Sequence, residues 1–251
     1  MGQFDGRAAL VTGGGKGIGR ATALAFAAMG AVVTVVDLDD EAGPAAAQAV
    51  QDQGGQALFI RADVTRSAEV EATVAQAVDH WGRLDFAHNN AGITGSWAHT
   101  ADYDEADWDR VIAINLKSVF LSMKYELPHL VKQGGAIVNT SSGAGLVGFA
   151  GLPAYVASKH GVIGLTKAAA LEYAKAGVRI NAVCPGSTRT PMLEGFMGGD
   201  AKMEKLMSAA SALGRLATPE EIAAAVVWLC SDAASFVLGA ALPVDGGAVA
   251  Q

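Results

Sequence analysis

The stretch RAALVTGGGKGIGRATALAFAAMGAVVTVVD, residues 7–37, decides the fold. A short apolar run at 7–11 leads into the glycine-rich TGGGKGIG, then into apolar residues at helical spacing, and finally into a Val-rich run at 31–37. Short runs rich in β-branched residues are typical of buried strands, whereas apolar residues recurring every three to four positions are typical of a helix. The stretch therefore predicts a strand–helix–strand unit with a glycine-built first turn.

The same alternation continues along the chain. Further strands are predicted in ALFIRADV, LDFAHNN, GGAIVNTSS, VRINAV and ALPVDGG, and one long helical region over DEADWDRVIAINLKSVFLSMKYELPHLVK. Because continuous apolar strands that alternate with helices form parallel sheets covered on both faces, we predict an α/β fold with a doubly wound parallel sheet of about seven strands. No internal repeat or linker is evident, so a single domain is expected over residues 1–251.

The composition narrows the class of protein. About half of the residues are apolar (51%), and the formal net charge of −7 argues against binding to a phosphate backbone, so no nucleic-acid partner is expected. Two cysteines, Cys184 and Cys230, do not make a disulfide framework or a zinc site, so we expect no metal. No signal peptide or membrane-spanning run is evident, and we expect a cytoplasmic protein without a membrane partner.

The chemically interesting side chains follow the predicted strands. They lie at residues 13–19, Asp37, Asp63, residues 89–92, Ser141 with Ser142, and Pro185 with Gly186. In doubly wound sheets, ligands bind outside the carboxyl ends of the strands. We therefore expect these residues to share one site.

The glycine-rich turn is a candidate phosphate-binding loop. Glycines let backbone N–H groups approach a pyrophosphate, and the following helix N-terminus favours an anion. The register is Gly13-x-x-x-Gly17-x-Gly19, which departs from the common G-x-G-x-x-G spacing. The alternative is a flexible turn without a ligand.

Asp37 bears on the choice of cofactor. An acidic residue at the end of the second strand can accept hydrogen bonds from the ribose hydroxyls of NAD and repels the 2′-phosphate of NADP. Lys16 in the glycine loop favours the opposite choice, but Asp37 is expected to lie nearer the ribose. We therefore predict NAD as the cofactor rather than NADP. Asp39 and Asp40 are expected to be solvated.

Tyr155 and Lys159 occur four residues apart in AYVASKHG and so share one face of a predicted helix. A lysine cation beside a phenol favours the phenolate, and together with an oxidised nicotinamide ring it is expected to lower the pKa of Tyr155. Ser142, at the end of a strand, can bind a substrate oxygen, although Ser141 is its rival. Asn115, in an apolar helical stretch, is either a satisfied core residue or part of a functional network.

These pieces together resemble the short-chain dehydrogenase/reductase family in its one-domain, Rossmann-like form. The matching motifs are TGGGKGIG, Asp63-Val64, NNAG at 89–92, Asn115, IVNTSS, YVASK, PGSTRTPM at 185–192 and VDGG at 244–247. They occur in the family's order and cover nearly the whole chain. The resemblance implies a hydride-transferring oxidoreductase. It also implies a homotetramer, with a dimer as the alternative, in which the helices that carry Asn115 and Tyr155 lie at one interface.

The resemblance also implies roles for individual residues. Tyr155 would be the general acid/base, and Lys159 would lower its pKa and hold the nicotinamide ribose. Ser142 would position the substrate, and Asn115 would hold a water in a proton relay to Lys159. The implied cofactor-binding residues are Gly13, Gly15, Lys16, Gly17, Ile18, Gly19, Asp37, Asp63, Val64, Asn90, Ala91, Gly92, Tyr155, Lys159, Pro185, Gly186, Thr188 and Thr190.

The substrate is expected to be a neutral secondary alcohol or ketone. A Met- and Gly-rich segment at about 187–215 is expected to cover it, with a plain helix core as the alternative reading of its apolar residues. No arginine cluster is present to clamp an acidic group. The expected pocket residues are Ile93, Thr94, Ser96, Trp97, Ala144, Phe149, Leu152, Met192, Leu193, Phe196 and Met197.

Two other functions remain open from the sequence. One is an NADPH-dependent 3-oxoacyl-thioester reductase, which Lys16 favours and Asp37 disfavours. The other is a protein that senses NAD without chemistry, which the joint presence of Asn115, Ser142, Tyr155 and Lys159 disfavours.

Overall fold

The computed structural model describes residues 2–250. Within them, seven strands form one parallel sheet in the order β3-β2-β1-β4-β5-β6-β7, which confirms the predicted sheet. The strands are β1 (Ala8–Thr12), β2 (Val32–Asp37), β3 (Ala57–Arg61), β4 (Phe86–Asn89), β5 (Gly135–Thr140), β6 (Val178–Pro185) and β7 (Ala241–Val244).

Helices follow the strands in the expected alternation. They are α1 (Gly17–Ala28), α2 (Ala42–Asp52), α3 (Ser67–Trp81), α4 (Glu105–Ile112), α5 (Ser118–Leu130), α6 (Pro153–Tyr173), α7 (Pro191–Met197), α8 (Ala201–Ala209) and α9 (Pro219–Cys230). No helix in residues 2–250 is long and apolar enough to cross a bilayer.

Alternate side chains of each strand point to opposite faces of the sheet, and a separate apolar core lies on each face. On one face, Val11 and Val33 pack with Phe26 of α1 and Ile222 of α9. On the other face, Leu10 and Ile137 pack with residues of α3, α5 and α6, among them Val74, Leu127 and Val162. Burial on both faces explains why the strands are continuous apolar runs rather than alternating ones.

The predicted long helical region at 104–132 is helical but not regular. Five residues, Ala113–Lys117, form a π-helical segment between α4 and α5. Asn115 lies at its centre and is fully buried. Such segments widen a helix locally and are frequent at functional sites, and apolar periodicity alone does not reveal them.

The order of the strands reverses between β1 and β4. The chain runs from β1 outward through β2 and β3, then returns to place β4 on the other side of β1. The crevice outside the carboxyl ends of these two strands is therefore flanked by the glycine loop after β1 and by residues 90–92 after β4.

Candidate active site

A cavity of about 740 Å³ lies at the carboxyl ends of the strands. It gathers residues from every segment that the sequence analysis singled out, since the carboxyl ends of parallel strands share one edge of the sheet. The predicted site residues that line it are Gly13, Lys16, Gly17, Ile18, Asp37, Asp63, Val64, Asn90, Ala91, Gly92, Ser142, Tyr155, Lys159, Pro185, Gly186, Thr188 and Thr190. Gly15, Gly19 and Asn115 do not line the cavity but contact the segments that do.

The glycine loop has the shape of an anion cradle. A Cβ on Gly19 would overlap the carbonyl oxygen of Gly13, and one on Gly13 would lie 2.9 Å from the Cα of Ala91. Gly13 also has a φ of +60°, which side chains rarely adopt. The loop therefore stays narrow only with glycine, and it presents backbone to the cavity at the start of α1. These features fit the pyrophosphate of a dinucleotide.

Asp37 lies at the end of β2 and ties that strand to the glycine loop. Its Oδ2 accepts a hydrogen bond from the Gly15 N–H at 2.8 Å, and its Oδ1 accepts one from the Asp39 N–H at 3.0 Å. Gly15 thus orients the carboxylate instead of facing the cavity. The Asp37 side chain is consequently held at the cavity wall, where a ribose is expected.

Asp39 is not simply solvated, which corrects the sequence expectation, whereas Asp40 is exposed as expected. Asp39 accepts hydrogen bonds from the Ala42 and Glu41 N–H groups at the start of α2, and it pairs with Lys16 at 2.6 Å. These donors, the Ala42 N–H first, hold the pKa of Asp39 well below its usual range. Asp40 pairs with Arg61 at 2.9 Å. Lys16 and Asp39 are 23 residues apart in the sequence, so neither composition nor local pattern predicts their ion pair.

Asn90 holds the glycine loop from the other side. Its Nδ2 donates to the carbonyl oxygens of Thr12 and Gly13, both at 3.2 Å, and its backbone N–H donates to the Thr12 hydroxyl at 3.0 Å. The side-chain amide is therefore used to fix β4 to the loop. Asp63 similarly accepts hydrogen bonds from the N–H and hydroxyl of Thr65 with Oδ1.

Tyr155 and Lys159 face the cavity from the first turns of α6. The Lys159 Nζ donates to the carbonyl oxygen of Thr140 at 2.9 Å and lies 5.6 Å from the centre of the Tyr155 ring. Burial lowers the pKa of Lys159 to about 8. Burial also raises the pKa of Tyr155, while the hydroxyl of Ser142 acts in the opposite direction. The lowering of the Tyr155 pKa that we expect from Lys159 together with an oxidised nicotinamide ring stays a prediction.

The two candidate serines have different environments. Ser141 is buried, and its hydroxyl donates to the backbone carbonyl of Lys159 at 2.8 Å. Ser142 is only half-buried, and its Oγ accepts a hydrogen bond from the Ala144 N–H at 3.1 Å. The Ser142 hydroxyl keeps its proton for another acceptor, whereas the Ser141 proton is already used. Ser142 is therefore the better candidate for contact with a substrate oxygen.

Asn115 is a buried residue whose side-chain amide is fully hydrogen-bonded and connects the segments around the site. Its Oδ1 accepts from the Ile93 N–H at 2.8 Å, and its Nδ2 donates to the Ile93 carbonyl at 2.9 Å and to the Ser158 hydroxyl at 3.1 Å. A Cβ on Gly92 would lie 3.3 Å from Asn115 Oδ1 and 3.4 Å from Lys159 Nζ. The amide thus fixes the chain after β4 beside Lys159.

The far end of the cavity is apolar. Predicted pocket residues that line it are Ile93, Thr94, Trp97, Ala144, Phe149, Leu152, Met192, Leu193 and Phe196. Two of the expected pocket residues do not line the cavity. Ser96 is exposed outside it, and Met197 is buried, as the alternative reading of a helix core had it. Met207, in the segment expected to cover the substrate, also lines the cavity, and sequence reasoning missed Leu38, Val147 and Val249. Leu38 carried a usable signal, an apolar residue directly after Asp37.

Known proteins are similar to this chain along its whole length. The family model for short-chain dehydrogenases described as Enoyl-(Acyl carrier protein) reductase matches residues 13–249. The 2,5-dichloro-2,5-cyclohexadiene-1,4-diol dehydrogenase of Sphingobium indicum is 44% identical and covers 98% of each chain. The cyclohexanol dehydrogenase of Acinetobacter sp. (strain SE19) is 46% identical, covering 97% of this chain and 95% of the relative. The crystal structure of levodione reductase has a TM-score of 0.93 at 40% identity, covering 97% of this chain and 98% of that chain.

The similarity to known proteins extends over both the sequence and the fold. The family match includes the glycine loop and extends through the YVASK motif to the VDGG segment. The resemblance inferred from the motifs is confirmed: the chain belongs to the short-chain dehydrogenase/reductase family of oxidoreductases.

Proposed function

We propose that the protein oxidises a neutral secondary alcohol on a six-membered carbon ring to the ketone, or runs the reverse reaction, with NAD(H). The observation that carries the proposal is one cavity that holds Ser142, Tyr155 and Lys159 together with an apolar far end. Among the described residues no arginine lines this cavity, so it offers no bidentate partner for a carboxylate or phosphate on the substrate. The related enzymes' printed names, cyclohexanol and cyclohexadiene-diol dehydrogenase, support the ring.

The chain's own residues carry the proton. A bound nicotinamide ring would supply the hydride acceptor for oxidation of the carbinol carbon and the hydride donor for reduction of the ketone carbon. During oxidation, the Tyr155 phenolate takes the proton of the substrate hydroxyl, and during reduction the phenol gives it back. The Ser142 hydroxyl donates to the substrate oxygen and stabilises the charge that develops there. The Lys159 cation, oriented by the Thr140 carbonyl, opposes the effect of burial on the Tyr155 pKa.

The remaining lining residues are proposed to hold the cofactor. The loop with Gly13, Lys16, Gly17 and Ile18 would bind the pyrophosphate. Gly19 keeps that loop narrow, and Gly15 leaves room for the Asp37 carboxylate. Asp63, Val64 and the missed Leu38 would face the adenine. Asn90, Ala91 and Gly92, with Lys159, would line the ribose side. Pro185, Gly186, Thr188 and Thr190 would face the carboxamide.

The preference for NAD over NADP is argued from Asp37 and Lys16. Asp37 is held at the cavity wall by the Gly15 N–H, where it can accept hydrogen bonds from the ribose and repel a 2′-phosphate. Lys16 is the one residue of the glycine loop that could attract that phosphate, and its ammonium is engaged by Asp39 at 2.6 Å. Both features favour NAD.

We also propose a cytoplasmic homotetramer. The two cysteines are unpaired and buried in the described chain, which suits a reducing compartment. Phe120 on α5 and Leu171 on α6 are exposed apolar residues, 48% and 78% accessible, on the helices expected at an interface. Analytical ultracentrifugation tests the assembly: a tetramer supports it, and a monomer at micromolar concentration contradicts it.

Steady-state assays test the proposed function. Purified protein is supplied with cyclohexanol and NAD or NADP, and reduction of the cofactor is followed by absorbance. Turnover with NAD that exceeds turnover with NADP supports the proposal. Turnover only with NADPH and a 3-oxoacyl thioester favours the thioester reductase, and NAD binding without turnover of any alcohol or ketone favours a sensor.

A further inference from the structure

The segment between β4 and α4 carries an aromatic side chain on a fixed support. Trp97 is flanked by two anchored neighbours: the Ser96 N–H donates to Asp107 Oδ2 at 2.7 Å, and the Ala98 N–H donates to the Gly151 carbonyl at 3.0 Å. Because both peptide groups beside Trp97 are held, the backbone that carries the indole is fixed on either side of it.

Asp107, which accepts from the Ser96 N–H, is itself held by two neighbouring side chains. Asp107 Oδ2 also accepts from the Tyr103 hydroxyl at 2.8 Å, and Oδ1 accepts from Arg110 Nε at 3.0 Å. The Ser96 N–H, with Arg110 and Tyr103, holds the pKa of the Asp107 carboxyl well below its usual range. The Asp107 carboxylate therefore remains charged and keeps its hydrogen bond to the Ser96 N–H at any pH at which the enzyme would work.

Gly151, whose carbonyl oxygen accepts from the Ala98 N–H, also packs against the indole of Trp97. Gly151 has a φ of +85°, and a Cβ there would overlap Cε2 and Nε1 of Trp97. The indole centroid lies 5.8 Å from that of Phe196 on α7. Trp97 still leaves 56% of its surface exposed while it lines the cavity. A large apolar side chain held rigidly in this way presents a ready contact surface to a ligand.

We propose that Trp97 is a specificity-determining residue that selects ring-shaped over open-chain secondary alcohols. The inference rests on the proposed function and names the feature of the same site that recognises the ring. A rigid ring can lie against the rigid indole with its bonds already fixed, whereas a flexible chain must lose rotational freedom to make the same contact. Asp107 and Gly151 act through Trp97 and are positioning residues.

Cyclohexanol and 2-hexanol are a matched pair for the test, because both are uncharged six-carbon secondary alcohols. In Trp97→Ala the KM for cyclohexanol is expected to rise about tenfold, equivalent to about 1.4 kcal/mol. The KM for 2-hexanol is expected to change less than about threefold, and kcat is expected to stay similar for both because the proton-transferring residues are untouched. Trp97→Phe should retain most of the preference.

Three further variants separate the indole's role from a general loss of structure. Trp228→Ala removes an exposed tryptophan on α9, outside the cavity, and is expected to leave both KM values unchanged. Gly151→Ala displaces the indole without removing it and should reproduce the Trp97→Ala ratio of KM values. Asp107→Ala should do the same, while Asp107→Asn, whose amide oxygen can still accept from Ser96, should recover part of the preference. NADH titration of each variant confirms that the site is folded.

The possible outcomes separate the role of Trp97 from the proposed dehydrogenase function. If wild type turns over both alcohols and Trp97→Ala raises both KM values equally or neither, the role of Trp97 is overturned and the proposed function stands. If wild type binds NADH but turns over no ring or chain alcohol, both are overturned.

Discussion

Lys159 Nζ donates to the carbonyl oxygen of Thr140 and lies 5.6 Å from the centre of the Tyr155 ring. This arrangement places a buried ammonium beside a phenol whose pKa burial has raised. The carbonyl fixes the cation's position but does not neutralise it. We expect the positive charge of Lys159 to oppose the effect of burial on the Tyr155 pKa, in addition to the Ser142 hydroxyl.

Removing that charge should move the pH profile of oxidation. In Lys159→Met, kcat/KM for alcohol oxidation at pH 7 is expected to fall at least about 100-fold, and its rise with pH should shift toward higher pH. The reason is that fewer molecules carry the Tyr155 phenolate at any given pH. Profiles from pH 6 to pH 10 measure the shift, with thermal unfolding as the control for folding. A profile that keeps its shape and position would remove Lys159 from the proposed role.

Cofactor preference should respond to both carboxylates near the glycine loop. Asp37→Ala is expected to raise the ratio of kcat/KM for NADP to that for NAD, because it removes a repulsive charge from the expected ribose site. Asp39→Ala is expected to raise the same ratio by a smaller factor, because it frees Lys16. Asp40→Ala, which breaks only the surface pair with Arg61, serves as the matched control. If the ratio is unaltered in Asp37→Ala, another residue decides the preference.

Stability should depend on a buried carboxyl outside the cavity. Glu126 is fully buried, and its Oε2 accepts from Asn89 Nδ2 at 3.1 Å. Burial raises the pKa of Glu126 to about 7 from 4.5. The folded state therefore binds more protons than the unfolded state between these values. The stabilising contribution is complete below pH 4.5 and is lost as pH rises through 7.

Glu126→Gln keeps the shape of the neutral carboxyl and removes its titration. Relative to this variant, wild type should lose about 3 kcal/mol of unfolding free energy between pH 4.5 and pH 8. Urea unfolding at a series of pH values measures the difference. Parallel stability profiles for the two proteins would show that Glu126 does not titrate in this range.

Much of the fold and the site was predictable because the signals are local. Short apolar runs predicted the strands, and the residues that follow them, from Gly13 to Gly186, predicted much of the cavity lining. What the sequence could not predict depends on contacts between distant segments. Lys16 contacts Asp39 only because the fold brings the glycine loop next to the segment between β2 and α2. The pKa of Tyr155 is raised by burial, which no sequence motif indicates. Val249 reaches the cavity from the C-terminal segment, where its neighbours carry no chemical signal.

Proton transfer by Tyr155 is tested with the Tyr155→Phe variant. The variant keeps the ring but lacks the hydroxyl. Wild type and variant are titrated with NADH and then assayed for cyclohexanol oxidation with NAD. The account predicts NADH binding within about twofold of wild type and kcat lower by about 100-fold or more, the typical contribution of a general base. Turnover at the wild-type rate with intact NADH binding would contradict the account.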